Sequence, residues 1–406
     1  ARRALIDALA DPHWGLRWRA TRILARLDAA PEIDACLVRM LKDPDVSVRS
    51  AALRGLIARG WLDRAAAEER DAPAADADGE VALTYLRAMT EHRIDAATEA
   101  SRLLKALGDP HAEVRAYAFQ ALYRLRETER IPRERLRAGI EDADCGVRIA
   151  AILAWERDPQ AEGLDVLLKA LADEEVFVRE EAARRLRLEL EFRFLYSPGR
   201  VTGRPGFVEA MIRALGDESP IVRGEAAWMV GTAGNAAEAA VPALVRMLDD
   251  PVCRRPAAES LGSIGVADPD AIRKLDATLA SADIDDRFEA ARALWRLGRV
   301  PEGLLAVFVE MLRNGENRRR GEAAQVLGEL GEAARPIVGE LIAALANEDF
   351  GVREDVINAL GNLGSIAKEA TPELEKLRDQ DPDALVGWAA EKAIEKIRAA
   401  AAREGR

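Results

Sequence analysis

Asp43-Pro44-Asp45-Val46-Ser47-Val48-Arg49-Ser50-Ala51-Ala52 decides the fold, because its grammar returns along the whole chain. An Asp, often followed by Pro, precedes a few variable residues and then Val-Arg-x-x-Ala. Upstream it reads Asp11-Pro12 … Leu16-Arg17 … Ala20. Downstream it reads Asp109-Pro110 … Val114-Arg115 … Ala118, then Asp142 … Val147-Arg148 … Ala151. Asp173 … Val178-Arg179 … Ala182 and Asp217 … Val222-Arg223 … Ala226 follow, and looser copies centre on Arg254, Arg287, Arg320, Arg353 and Gly387. From Arg17 the marked positions step by 32, 66, 33, 31, 44, 31, 33, 33, 33 and 34 residues. The step of 66 is two periods and hides one repeat near Val81-Ala82; the step of 44 is one period plus an insertion of about eleven residues. About twelve repeats account for nearly the whole chain, and a period in this range is the mark of a stacked array.

Each repeat has the grammar of a helical hairpin. A first helix ends in phrases such as Leu37-Val38-Arg39-Met40-Leu41. Pro in the short turn blocks its continuation, and Asp there is placed to cap the amides that follow. A second helix runs from the marked Arg to a Gly suited to a left-handed cap: Gly60, Gly234, Gly265, Gly298, Gly331 or Gly364. Val48, Ala51, Ala52 and Leu56 fall at helical spacing and make an apolar stripe. One hairpin cannot bury that stripe, so neighbours must stack. The sequence thus predicts an all-α solenoid of about twelve hairpins, a single array over 1–406 with repeats one to six at about 1–196 and seven to twelve at about 207–402.

This array resembles HEAT-repeat proteins of the short bacterial type also found in phycobilin lyase subunits. The resemblance covers all but about two of the repeats. It implies a right-handed superhelix, a partner-binding face made of the second helices, and a ladder in which Asp and Arg of successive repeats pair. The ladder residues would be Asp11, Arg17, Asp43, Arg49, Asp109, Arg115, Asp142, Arg148, Asp173, Arg179, Asp217, Arg223 and Arg353. It would break at Ala82 and Gly387. Asp is lost from the turns leading to Arg287 and Arg320, where junctions are expected to be weaker.

Composition narrows the function. The 406 residues carry 59 Lys and Arg against 71 Asp and Glu, a net charge of −12, with 49% hydrophobic residues and 5% aromatics. The chain is too apolar for an acidic disordered protein and has no stretch near the ~20 apolar residues of a membrane span. Bulk acidity argues against a generic nucleic-acid binder. Cys36, Cys145 and Cys253 are too few and too scattered for a disulfide framework. His13, His92 and His111 offer no metal-ligand spacing, no Gly-rich phosphate loop is present, and no nucleophile has a base beside it. No enzyme activity, metal or cofactor is expected. No signal peptide is visible, so the expected location is cytoplasmic; the first helix begins at once, which suggests a chain cut from something longer. A monomer is the default expectation.

Two segments interrupt the period. Residues 63–80 hold seven acids against two Arg and no large apolar side chain, which reads in part as a solvated acidic loop. Residues 191–206 are an insertion in which Phe192, Phe194 and Tyr196 extend a second helix, followed by Arg200 and Arg204. Aromatics there suit a groove between repeats, or a functional loop built on Phe194, Tyr196, Arg200 and Arg204.

Candidate binding residues come from counting along each second helix. Positions five and nine after the marked Arg lie one helical turn apart on the open side. In the first half they include Arg22, Arg26, Arg54, Arg124, Arg157 and Arg184, and Trp18 and Tyr117 stand nearby. Residues 1–60 carry 11 basic and 7 acidic side chains, against the sign of the whole. In the second half the same slots are mixed: Glu259, Arg292, Arg296, Gln325, Glu329, Asn358 and Asn362. The pattern predicts a non-enzymatic scaffold that holds an acidic segment of a protein partner on this face. Competing readings are a nucleic-acid binder built like the HEAT-like alkylpurine DNA glycosylases, a phycobilin-lyase-like chromophore chaperone, and the sensor arm of a larger protein.

Overall fold

The computed structural model describes residues 1–28, 30–64, 73, 76–92, 96–155, 162–196 and 206–404. Among them there is no strand, and the chain is an α-solenoid. It divides into two compact units, Ala1–Tyr196 and Ser197–Arg406. In the first unit the second helices of six hairpins are Trp14–Leu24, Val46–Ala58, Gly79–His92, Ala112–Arg124, Cys145–Ala154 and Val176–Tyr196. In the second they are Pro220–Gly231, Arg254–Ile264, Ile284–Arg296, Asn317–Glu329, Phe350–Leu363 and Ala384–Glu404. Within each unit successive second helices pack side by side, except that Ile284–Arg296 and Asn317–Glu329 do not pack closely, and each second helix also packs on the first helix of its own hairpin.

The Asp-Pro-Asp turn divides two tasks that the sequence assigned to one residue. Asp45 is the N-cap of its helix and accepts the Ser47 amide at 2.9 Å. Asp43 lies two residues earlier and accepts the Asp45 amide at 2.9 Å, which shapes the turn and not the helix end. Asp142 and Asp144 repeat the arrangement, as do Asp217 and Ser219. Freed from capping the helix, the first Asp of each turn has its carboxylate available to the preceding hairpin.

That carboxylate is what the marked Arg takes. Arg17 donates through Nε and Nη2 to both oxygens of Asp43 at 2.7 and 2.9 Å. Its Nη1 donates to the Asp11 and Pro12 carbonyls of its own turn. Arg49 grips Asp76 in the same two-pronged way, Arg115 grips Asp142, and Arg353 grips Asp381. Arg148 reaches Asp173 at 2.8 Å and Arg223 reaches Asp250. Arg179 donates to the Asp173 and Glu174 carbonyls of its own turn. Planar, paired hydrogen bonds of this kind are the strong form of an ion pair.

Four junctions depart from the rule. At Ala82 no guanidinium exists, and Asp109 instead accepts the His111 amide and meets the His111 ring Nδ1 at 3.0 Å. The turn leading to Arg287 carries Ser281, yet this junction keeps its ion pair, contrary to expectation. The carboxylate has moved to Asp286, which takes Arg254 at 2.8 Å and Arg255 at 3.0 Å. At the next junction Arg287 finds Glu310, on the first helix of the following hairpin, at 2.6 Å. Arg320 donates to the Gly315 carbonyl, and the turn of the following hairpin holds neutral Asn347 in place of Asp. The acidic stretch 63–80 is likewise more than a loop, since its described end, 76–80, is the turn and first helical residues of the hidden hairpin, with Asp76 in the ladder.

The core follows the expected stripe with one exception. Val48, Ala52, Leu53 and Leu56 are fully buried, whereas Ala51 is half-exposed and lines a groove. Second helices approach closely enough to require glycine. A Cβ on Gly328 would lie 2.6 Å from the Ala359 Cα, and one on Gly55 would lie 2.4 Å from the Ala25 Cβ. All six expected cap glycines have positive φ. In the fourth hairpin Arg126 occupies that slot with φ 59°, a conformation that costs a non-glycine residue about 1–2 kcal/mol. The Glu127 amide closes the cap onto the Leu122 carbonyl at 2.9 Å, as Arg299 does after Gly298.

Three outcomes follow from this packing. Arg126→Gly should stabilise the protein by about 1 kcal/mol and raise the melting temperature in calorimetry. Val178→Asp, at a position with 0% exposure, should cost roughly 3–5 kcal/mol by burying an unpaired charge; a melt within about two degrees of the parent would disprove the register. The third concerns acid. Burial pushes the Asp43, Asp142 and Asp381 carboxyls up, but hydrogen bonds from Arg17, Arg115 and Arg353 and from turn amides outweigh it, leaving all three below the ordinary 3.8. A depressed carboxyl stabilises the fold above its unfolded pKa and loses that contribution as pH falls through the folded one. Melting temperature should therefore drop steeply below about pH 4, and the drop should be smaller in Asp142→Asn, measured across about pH 3–6.

Candidate partner-binding face

In the first unit the helices Trp14–Leu24 and Val46–Ala58 enclose a groove of about 660 Å³ on their open side. Trp18, Arg22, Arg26 and Arg54 all line it. The Arg22 guanidinium lies 4.5 Å from the centre of the Trp18 ring, a cation–π contact between residues one turn apart on the same helix that holds both side chains on one wall of the groove. Arg22, Arg26 and Arg54 are exposed. Arg54 donates to Glu80 at 2.6 Å, an ion pair whose partners are 62% and 67% exposed.

A second groove, of about 330 Å³, lies between the helices Gly79–His92 and Ala112–Arg124. Tyr117, Gln120 and Arg124 line one side, with Arg87, Thr90 and Glu91 on the other. The Tyr117 hydroxyl is hydrogen-bonded to the Thr90 hydroxyl, and the Arg87 guanidinium sits 5.8 Å from the Tyr117 ring centre. The ring is therefore fixed rather than free to swing.

The structure thus brings Trp18, Arg22, Arg26 and Arg54 together, and places Tyr117 with Arg124 in the neighbouring groove. Arg184 stands apart from both grooves, 3.6 Å from Glu180 and from Glu181 of its own helix. Arg157 lies outside the described residues, as do Arg200 and Arg204 of the insertion. Phe194 and Tyr196 lie on the backbone of the helix Val176–Tyr196, and their side chains are outside the described set. Counting missed Arg87 and Glu80. Arg87 sits five residues after Ala82, the slot of the hidden repeat where no Arg marks the start.

The second unit uses the same slots differently. Arg292 is 12% exposed and is held by Glu289 at 2.6 Å and Glu259 at 3.1 Å. Arg319 reaches Glu289 at 2.6 Å and Glu322 at 2.7 Å. Both guanidinium groups also lie within 6 Å of the Phe288 ring, at 5.8 and 5.5 Å. Glu289 is 2% exposed, and burial pushes its carboxyl above the ordinary glutamate range against the pull of Arg292 and Arg319. Its Oε2 meets the Arg292 Nη2 as an ion pair without hydrogen-bond geometry, and the Arg292 Nε has no hydrogen-bond partner among the described residues. This face is closed on itself by ion pairs, so Arg292 is a structural residue and not an open cation.

Comparison with known proteins places the fold. A family model described as HEAT repeats matches residues 3–73, 208–295 and 305–395, well over half of the chain. The chain belongs to the HEAT-repeat family. HEAT hairpins of this chain are similar in fold to a solved structure concerning a phosphorylation switch in the interaction between cadherin and beta-catenin. That match has 12% identity and a TM-score of 0.54, and covers 98% of this chain and 99% of the other. Crystal structures of the karyopherin Kap121p match at 16% identity with a TM-score of 0.42, covering 98% of this chain and 48% of that one. The chain thus spans about half the length of the Kap121p chains it matches. The E. coli protein YibA matches at 20% identity and a TM-score of 0.46, over 72% of this chain and 98% of that one. No curated protein matches the sequence. Among the described residues of this HEAT array no helix is long and apolar enough to cross a membrane, and no cluster of three His, Cys, Asp or Glu stands ready for a metal ion.

Proposed function

We propose that this HEAT protein is a protein-binding scaffold, and that the second-helix face of its first unit takes an acidic segment of a partner. One observation carries the reading: two neighbouring grooves on this face each pair an aromatic ring with open Arg side chains, in a protein whose net charge is −12. A local field opposite in sign to the bulk steers anionic groups to one place and repels them elsewhere. Arg suits the task because its fork takes a carboxylate in two hydrogen bonds. The Trp18 ring offers a wall against which an apolar side chain loses water, and anchors of that kind dominate interface energies. The closed ion-pair network around Glu289 supports placing the activity on the first unit.

The test uses a fluorescein-labelled peptide of ten glutamates, read by anisotropy. Arg22→Glu, Arg26→Glu and Arg54→Glu together should reduce binding by at least about tenfold without loss of helicity. Reversal of Arg273 and Arg335, whose side chains are 69% and 64% exposed, is the control and should change little. Arg292 does not serve as a control, because reversing it would break a buried network. Binding should weaken with salt, since exposed charges are screened over about 8 Å at physiological ionic strength. Equal binding by wild type and the triple reversal would remove this face from consideration. Tight salt-dependent binding of random duplex DNA, lost in the triple reversal, would replace the acidic partner with nucleic acid.

A further inference from the structure

Among the described residues Glu80 is the one carboxylate that lines the groove of Trp18, Arg22, Arg26 and Arg54. It stands in the first turn of the helix Gly79–His92, and its amide is held by Asp78 at 3.0 Å. From there it reaches the Arg54 of the neighbouring helix at 2.6 Å. Both side chains remain largely exposed, so the pair is screened by water and readily displaced. Arg22 and Arg26 have no carboxylate partner among the described residues, and the charge presented by three Arg and one Glu is +2.

This arrangement sets a condition on any acidic ligand. A segment with a single carboxylate that meets Arg54 only exchanges one carboxylate for another and gains nothing. To bind, a ligand must also reach Arg22 or Arg26 on the adjacent helix. Packed helices lie about 8–10 Å apart between axes, and the close approach of Gly55 to Ala25 places this pair at the near end of that range. A helix of about 10–12 Å diameter rests on top of two helices in contact, with its backbone held away from the groove floor. An extended chain in the polyproline II form enters the groove, and two of its residues three apart lie on the same side about 9 Å from each other.

We propose that this groove selects an extended protein segment bearing two carboxylates three residues apart, with an apolar side chain between them laid against Trp18. Glu80 is the resident competitor that holds Arg54 against a single acid, so a segment with one acid gains at most Arg22 or Arg26. The inference rests on the reading of this face as the partner-binding one, and it adds the spacing rule and the role of Glu80.

The probe is a labelled peptide, acetyl-Gly-Glu-Ala-Leu-Glu-Gly-amide, compared with two versions in which one Glu is replaced by Gln. Wild type should bind the di-acidic peptide at least about tenfold tighter than either mono-acid. In Glu80→Gln the mono-acid whose carboxylate meets Arg54 should bind several-fold tighter, and the ratio should shrink to about threefold or less. Because Glu80 is exposed, the variant should melt with the parent. An unchanged ratio in Glu80→Gln overturns the competitor role while leaving the face in place. Binding of the ten-glutamate peptide without preference for the two-acid spacing overturns the spacing rule alone. Failure of every acidic peptide to bind overturns both this inference and the reading beneath it. A single-phosphoserine peptide that matches the di-acid on wild type would overturn the two-carboxylate rule in favour of one dianionic group.

Discussion

Everything in this fold hangs on how an arginine distributes its five donors. Nη1 closes the turn of its own hairpin by binding two backbone carbonyls, and Nε with Nη2 holds the carboxylate of the next turn. One side chain therefore fixes a turn conformation and a stacking offset together. A lysine has no planar fork and cannot do both. The Asp that receives it is freed by a second polar residue that caps the helix, so the turn needs two acceptors two residues apart. The length of the turn, the phase of the apolar stripe and the offset between neighbours all follow from satisfying that geometry with few buried polar groups left over.

The repeat phase and the second helices could be read from the sequence because the Arg and its stripe recur at fixed distance. What escaped reading is where the chain meets the same electrostatic need by other atoms. Asp76 was hidden because the residue six positions on is Ala82, so the turn carried only half of its signature. Asp286 was hidden because a carboxylate five residues late, on the helix rather than in the turn, still reaches Arg254. At Asp109 a His from the same turn takes the place of the absent Arg. The candidate groove was legible as a set of Arg at helical spacing. Its most instructive member, Glu80, was not, because pairing with Arg54 depends on how far one helix is offset from the next.

The two units show that one backbone slot has two uses. In the first, the Arg of the open face keep their charge turned to water beside an aromatic ring. In the second, equivalent positions are drawn inward by Glu259, Glu289 and Glu322, and Phe288 completes the enclosure. A buried network of this kind is weak evidence for added stability, since desolvation offsets much of the attraction. Its consequence is the removal of free charge from that surface. Openness on one unit and self-satisfaction on the other are both written in side chains, with the helical framework unchanged.

Because each marked Arg binds its own turn and the next, a hairpin carries one donor and one acceptor of an identical bond. A stretch of gene encoding one 33-residue period can then be copied or dropped in frame, and the flanking hairpins find matching partners again. Beside those of Arg254, Arg287 and Arg320, the junction after Ala82 is one exception. There Gly79 leaves room for the His111 ring, which a Cβ would meet at 2.6 Å, so the contact between these two hairpins depends on a glycine and a histidine that the other junctions lack. A copied repeat keeps its partners along the regular ladder and loses them where a side chain from the acceptor turn has taken over the donor's role.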